Sequence, residues 1–383
     1  MDGAPYIEWT EDGQPRRARW HSERGAAPPK RVELVDDTLT ADHAYGLAGQ
    51  GTALLWRGDF QNARQLLIAL ARRVDRGLSK PKKPNAPQPS PVDVFNQHRQ
   101  AQSQRARTLG MLLIELGDDY AISLRRAPDL REACIEAYGA AHGPSVVSLR
   151  ELLGLVGAHE WRTKGMEIPA AGGHIHPHYG VFAPVRREYI DLVAKAPLPE
   201  GLQSTPIAFD IGTGTGVLAA VLAKRGVRKI IATDQDPRAL ACARENVTRL
   251  GMAHQIDVVQ ADLFPEGKAA LIVCNPPWIP ARPSSPLEHA VYDPDSRMLL
   301  GFLRGVAAHL APHGEGWLIL SDLAEHLGLR TRQMLLDAIA QSGLAVIDRM
   351  DVRPRHPRAA DPSDPFFKAR AKEVTSLWRL AGA

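Results

Sequence analysis

From Ile207 onward the chain alternates short β-branched runs with stretches of helical spacing, and this alternation constrains the fold more than any other feature of its 383 residues. Strand candidates fall at residues 207–210, 229–233, 256–260, 270–274 and 316–321, with two more at 344–352 and 374–380. Strand, helix and strand in succession require crossover connections. They predict an α/β fold: a Rossmann-like, mainly parallel seven-stranded sheet with both faces covered. In such sheets ligands bind beyond the carboxyl ends of the strands. The residues that follow each strand are therefore where chemistry is expected.

Three motifs stand at such ends. The first is Asp210-Ile-Gly212-Thr-Gly214-Thr-Gly216, between a strand and the helical pattern at 217–225. Glycines let the backbone turn sharply and approach a ligand closely, and the helix start beyond them offers unpaired N–H groups. The spacing G-x-G-x-G departs from the dinucleotide fingerprint G-x-G-x-x-G. A carboxylate two places before the first glycine suits a cationic ligand group, such as the methionine end of S-adenosylmethionine (SAM). The second motif is Asp234, about twenty residues past the glycines, where a carboxylate accepts both hydroxyls of a ribose. Asp236 then caps a helix that has Pro237 in its first turn and Gly251 after its end. The third is Asp262, placed to accept from an adenine amino group while Leu263 and Phe264 line the ring.

After the fourth strand comes Asn275-Pro276-Pro277-Trp278. Together with Asp210 to Gly216, Asp234 and Asp262, this motif resembles those of the class I SAM-dependent methyltransferases. It is similar to the subgroup that methylates nitrogen in a planar group, either a base amino group or a glutamine amide. The wording around Asp262 to Pro280 most resembles the release-factor glutamine methyltransferases. The resemblance covers about residues 175 to 383. It implies SAM as cofactor, held by Asp210, Gly212, Gly214, Gly216, Asp234, Asp262, Leu263 and Asn275. It implies catalysis by Asn275, Pro276, Pro277 and Trp278. An amide or exocyclic amine has its lone pair delocalised. The Asn275 oxygen and the Pro276 carbonyl grip its two N–H bonds and hold the nitrogen in line, which is positioning plus electrostatics. Proline fixes the direction of that carbonyl, and Trp278 stacks on the planar group. The family usually has tyrosine or phenylalanine where this chain has tryptophan.

Residues 1–165 read as a mostly helical domain for substrate recognition, followed by a methyltransferase domain at 166–383. Asp59 caps a helix whose buried face is Phe60, Ala63, Leu66, Leu67, Leu70 and Val74. Residues 80–91 carry five prolines and three lysines and read as an exposed linker. A second helix is expected over 91–116, with Leu109, Leu112, Leu113 and Leu116 buried, and shorter ones at 128–138 and 144–156. His174, His176 and His178 are expected in a polar loop, with no metal. Tyr179 and Phe182, in the segment entering the catalytic fold, are expected near the methionine end of the cofactor or the substrate mouth.

Residues 57–107 hold eleven Lys/Arg against three Asp/Glu, an excess suited to phosphates, and Arg353, Arg355 and Arg358 are candidates to join that surface. A hydrophobic content of 44% supplies a core, and no run approaches the ~20 apolar residues of a membrane span. The polar first twenty residues read as neither signal nor anchor. The cysteines Cys134, Cys242 and Cys274 form no C-x-x-C pair and suit free thiols in a reducing cytoplasm. The expected partner is a macromolecule, either RNA or a protein of the translation machinery. A small-molecule methyltransferase and a non-catalytic SAM-binding scaffold are the alternatives. The intact Asn-Pro-Pro-Trp motif argues against the scaffold.

Overall fold

The computed structural model describes residues 5–78, 88–283, 288, 290–355 and 361–383. The chain forms two compact units. Met1–Pro89 with Asn96–Glu160 make the first, and Ser90–Phe95 with Trp161–Ala383 make the second.

The first unit holds β1 (Tyr6–Glu11), β2 (Gln14–His21), β3 (Arg31–Val35), α1 (Ala41–Gly49), β4 (Thr52–Trp56), α2 (Phe60–Leu78), most of α3 (Pro91–Leu109), β5 (Leu112–Leu116), α4 (Arg131–Tyr138), β6 (Ser145–Ser148) and most of α5 (Leu149–Lys164), with Pro91–Phe95 and Trp161–Lys164 belonging to the second. Helices occupy more of it than strands, in line with the helical expectation. They accompany a six-stranded sheet of order β1-β2-β6-β5-β4-β3, which the sequence reading did not contain. Two expected helices are corrected. The helix expected over 91–116 stops at Leu109, and Leu112–Leu116 is strand β5. Leu109, Leu112, Leu113 and Leu116 follow helical spacing, but a five-residue apolar run equally makes a strand buried on both faces. Likewise residues 144–156 divide into β6, with buried Val146 and Val147, and the start of α5.

Asp59 does cap α2. Its Oδ1 accepts from Gln61 N at 2.9 Å, and its Oδ2 accepts from Arg125 Nε at 2.9 Å and Arg126 Nε at 2.6 Å. Phe60, Ala63, Leu66, Leu67, Leu70 and Val74 are all buried. The basic excess of residues 57–107 is partly consumed internally: Arg57 pairs with Glu11 and Glu115, Arg73 with Asp42, and Arg105 with Asp75. Most of the expected 80–91 linker, with its three lysines, and Arg358 lie outside the described residues, while Pro91 begins α3. Arg353 and Arg355 are exposed.

The second unit holds β7 (Met166–Ile168), β8 (Gly173–Ile175), α6 (Glu188–Lys195), β9 (Ile207–Ile211), α7 (Val217–Lys224), β10 (Lys229–Asp234), α8 (Pro237–Arg249), β11 (Ile256–Gln260), β12 (Ala269–Cys274), α9 (Arg297–His309), β13 (Leu310–Ser321), α10 (Leu323–His326), α11 (Arg332–Gln341), β14 (Leu344–Val352), α12 (Phe367–Arg370) and β15 (Thr375–Gly382). Its seven-stranded sheet has the order β11-β10-β9-β12-β13-β15-β14. The first five strands run parallel, and β15 is antiparallel to both its neighbours. All seven expected strands are present. One apolar cluster joins α6 and α7 to the sheet through Ile190, Val193, Leu218 and Val221, and another joins α9 and α11 through Phe302, Val306, Leu335 and Ile339. Helix α7 is buried from Val217 to Ala223, as expected for a helix apolar on every side. Asp236 caps α8 by accepting from Arg238 N, with Pro237 first in the helix. The three cysteines are free and buried. Among the described residues no helix is long and apolar enough to cross a membrane.

Candidate active site

The chain turns outward in one direction from β9 to β10 and β11, and in the other from β9 to β12 and β13. The crevice of such a sheet opens where the order reverses, between β9 and β12. These strands are paired in parallel, with Ile211 opposite Cys274, so Gly212 and Asn275 leave the sheet side by side. A cavity of about 1160 Å³ lies there. It is lined from the carboxyl ends of β9 and β10 and the loops that follow them (Asp210, Gly212, Gly214; Asp234), and from the loops after β11 (Asp262, Leu263) and β12 (Asn275, Pro276, Pro277, Trp278).

Gly212 has φ +70°, and a Cβ there would overlap Met298 Cε, at the start of α9. The backbone angle calls for glycine, and a Cβ would in addition have to displace the end of the Met298 side chain. Gly216, at φ +81°, stands at the N-cap of α7 against Ala243 of α8 and is not among the lining residues. Asp210 is 1% exposed. Its Oδ2 accepts from Thr213 Oγ1 at 2.6 Å and from Ala219 N at 3.0 Å. Burial pushes its carboxyl up to about 6, because removing a carboxylate from water disfavours its charged form. Asp234 is pushed upward by burial as well. Its Oδ2 accepts from Gly214 N and its Oδ1 from Asp236 N, each at 3.0 Å. Asp234 also lines the cavity.

Asp262 is exposed and pairs with Arg297 Nη2 at 3.1 Å. Leu263 sits at φ +75°, and its carbonyl accepts from Thr233 Oγ1 at 2.6 Å. Phe264, expected beside the adenine, does not line the cavity. It stacks on His309 at 4.4 Å between ring centroids and on Phe302 at 6.0 Å. An aromatic ring one position beyond Leu263 faces the helix layer, where α9 offers Gly305 with no Cβ in its way.

In the Asn-Pro-Pro-Trp motif, Trp278 Nε1 donates to Asn275 Oδ1 at 2.9 Å. The Arg186 guanidinium lies 4.8 Å from the centroid of the Trp278 ring. Arg186 Nε donates to Glu188 at 2.8 Å and its Nη2 to Glu373 at 2.9 Å. Glu373 is buried and also accepts from Ser321 Oγ at 2.7 Å. Phe182 lines the cavity and Tyr179 does not, although Gly180 and Val181 beside it do.

Several lining residues escaped the sequence reading: Arg186, Glu373, Met298, Arg297, Phe95 and Phe366. Phe95, Ile279, Leu323, Leu327 and Phe366 form one apolar cluster, and all five line the cavity. Asp293 was also missed. Its carboxylate accepts from Met298 N and Leu299 N, each at 3.0 Å, and burial raises it. The signal was available in Asp293-Pro294 just before an apolar-periodic helix. No local signal marks Phe95 or Glu373, which are distant in sequence.

Histidines 176 and 178 bond elsewhere. His176 Nδ1 meets the Arg162 carbonyl at 2.6 Å, and His178 Nε2 meets Glu245 Oε2 at 2.7 Å. Among the described residues no group of three or more His, Cys, Asp or Glu is arranged to hold a metal.

A family model described as ribosomal protein L11 methyltransferase (PrmA) matches residues 197–283. Release factor glutamine methyltransferase of Cereibacter sphaeroides is 33% identical over 186 residues, covering 43% of this chain and 65% of that protein. Ribosomal protein L11 methyltransferase of Vibrio campbellii is 34% identical over 118 residues, covering 30% of this chain and 40% of that protein. Release factor glutamine methyltransferase of Vibrio cholerae is 35% identical over 142 residues, covering 33% and 49%. The chain thus spans from two fifths to just under two thirds of the length of these curated relatives. The matches support a class I SAM-dependent methyltransferase.

Proposed function

We propose that the protein is a SAM-dependent N-methyltransferase that acts on a planar nitrogen, and that its acceptor is a glutamine side-chain amide in a protein of the translation machinery. The observation that carries this reading is the adjacency of Asn275 to Gly212 in one cavity. It brings the one motif suited to grip an amide beside the one suited to hold the cofactor. The residues present fit SAM. Gly212 gives a close backbone approach, Asp210 faces a cationic amino group, Asp234 takes ribose hydroxyls, and Asp262 with Leu263 takes the adenine. When bound, the cofactor supplies an electrophilic methyl group on a sulfonium sulfur. Asn275 Oδ1 and the Pro276 carbonyl accept the two N–H bonds of the acceptor and turn its lone pair toward that methyl. With the cofactor bound, the nitrogen so held would take the methyl group as the sulfonium C–S bond gives way, and would release one proton to water. Phe182 closes the cofactor side of the cavity.

Relatives named for a release factor and for a ribosomal protein favour a protein acceptor and a cytoplasmic setting. The internal pairing of Arg57, Arg73 and Arg105 weakens the case for RNA, and the first unit is then assigned to recognising the acceptor protein.

The test is transfer of tritium from labelled SAM to total protein, ribosomes and total RNA of a cell lacking this gene, with Asn275→Ala as control. Label in a protein band that disappears with Asn275→Ala is expected. Label confined to RNA, or to the small-molecule fraction, overturns the assignment of the acceptor. No transfer anywhere overturns the activity.

A further inference from the structure

Tryptophan at the fourth motif position invites a reading as a stacking platform for the acceptor. Its surroundings point elsewhere. The indole N–H can only donate. Its bond to Asn275 Oδ1, at 2.9 Å, therefore fixes which end of the Asn275 amide is turned toward the ring. An asparagine amide otherwise turns about a broad two-fold torsion. One lone pair of Oδ1 is taken by the indole, and the second remains for an N–H of the acceptor.

The ring itself is held. Arg186 covers it at 4.8 Å and is tied to Glu188 and Glu373. Glu373 is in turn tied to Ser321, at the end of β13. A guanidinium paired with two carboxylates over an indole is a cation–π contact in a largely desolvated setting, where such contacts are strongest. The indole is thus anchored through side chains that come from the entry segment, from β13 and from the lead into β15.

We propose that Trp278 is a positioning residue that acts through Asn275: its N–H sets the Asn275 amide with Oδ1 presented to the acceptor, and Arg186 clamps the indole in that pose. This rests on the methyl-transfer reading. Phenylalanine at the same position offers a ring and no donor, so an Asn-Pro-Pro-Phe motif cannot set its asparagine in this way.

The experiment compares Trp278→Phe with Trp278→Leu, using tritiated SAM and total protein from a cell lacking this gene. Both variants are expected to transfer about tenfold to a hundredfold more slowly, since small misplacements of a reacting group cost that much. SAM affinity is measured by calorimetry on the same variants, and a loss of transfer rate larger than any loss of affinity is the expected result. If Trp278→Phe keeps the wild-type rate while Trp278→Leu loses it, the ring and not the N–H matters, and the proposal is overturned. A second measurement needs no acceptor. In nitrogen-15 spectra of the tryptophan indoles, Asn275→Ala is expected to move the Trp278 Nε1–H signal and speed its exchange with solvent. An unmoved signal overturns the proposal. If the wild type labels nothing, the methyl-transfer reading fails by itself, and the spectra still decide whether the Trp278–Asn275 pair exists.

Discussion

Gly212 and Asn275 leave the sheet side by side because the residues before them, Ile211 and Cys274, are partners in the parallel ladder of β9 and β12. A single pair of strands therefore fixes the spacing between the cofactor loop and the acceptor motif. Disturbing one side is expected to be read on that side alone.

Gly212→Ala tests the cofactor side. The new Cβ meets Met298 at a backbone angle that L residues avoid. Strain of this kind costs on the order of 1–3 kcal/mol. The variant is expected to melt several degrees lower and to bind SAM at least tenfold more weakly by calorimetry. Gly212→Ala with Met298→Ala is expected to recover part of the stability, since the overlap goes and the backbone strain remains. Full wild-type affinity in Gly212→Ala refutes the placement of the cofactor against this loop.

A pH dependence follows from Asp210. Its carboxyl is pushed up to about 6 from 3.8 by burial, with the neighbouring Asp234 charge adding to the push. The folded, empty protein holds this proton more tightly than the unfolded chain does. The group's contribution to stability is therefore fully present below about pH 4 and is lost as pH rises through about 6. The cationic end of the cofactor favours the ionised form, so SAM affinity is expected to rise through the same range. At pH 5 it is expected to be about tenfold weaker than at pH 8. Calorimetry at several pH values checks this, and Asp210→Asn is expected to flatten the profile.

Glu373→Ala removes one of the two carboxylates that hold Arg186 and leaves Ser321 without its acceptor. Breaking a buried ion pair from one side costs about 3 kcal/mol. A lower urea midpoint at unchanged slope is the expected result. A midpoint equal to the wild type would mean that Glu188 alone suffices.

Phe182→Ala and Phe366→Ala test two different parts of the cavity lining. The first is expected to weaken SAM binding several-fold. The second is expected to leave SAM binding alone and to slow transfer to the protein acceptor, because Phe366 belongs to the apolar wall with Phe95 and Leu327. Calorimetry and the transfer assay on each variant tell these outcomes apart.

The catalytic sheet was legible because apolar runs such as 207–211 and 270–274 end at a glycine or an Asn-Pro pair that breaks the pattern. Strand β5 was not, because Leu112, Leu113 and Leu116 continue the helical spacing of Leu109, and periodicity alone does not part a short strand from a buried helix. The same limit hid β4, whose five residues are buried throughout. Within the site, Asp210, Asp234 and Asn275 could be read because each lies at or just beyond the carboxyl end of a strand. Arg186, Glu373 and Phe366 could not, since only the tertiary fold brings residues so far apart to one tryptophan or one wall. Phe264 was misplaced because the turn at Leu263, with its positive φ, sends the next side chain into the helix layer.

Phe95 is the fifth residue of α3, more than sixty positions before the rest of its compact unit resumes at Trp161. A fragment begun at Trp161 would carry the glycine loop, Asp234, Asp262 and the Asn-Pro-Pro-Trp motif and still lack a piece of its own cavity wall. Excising the catalytic half at its obvious boundary therefore removes an acceptor-side residue without touching the cofactor loop. Such a fragment is a natural way to obtain a protein that binds SAM and transfers poorly.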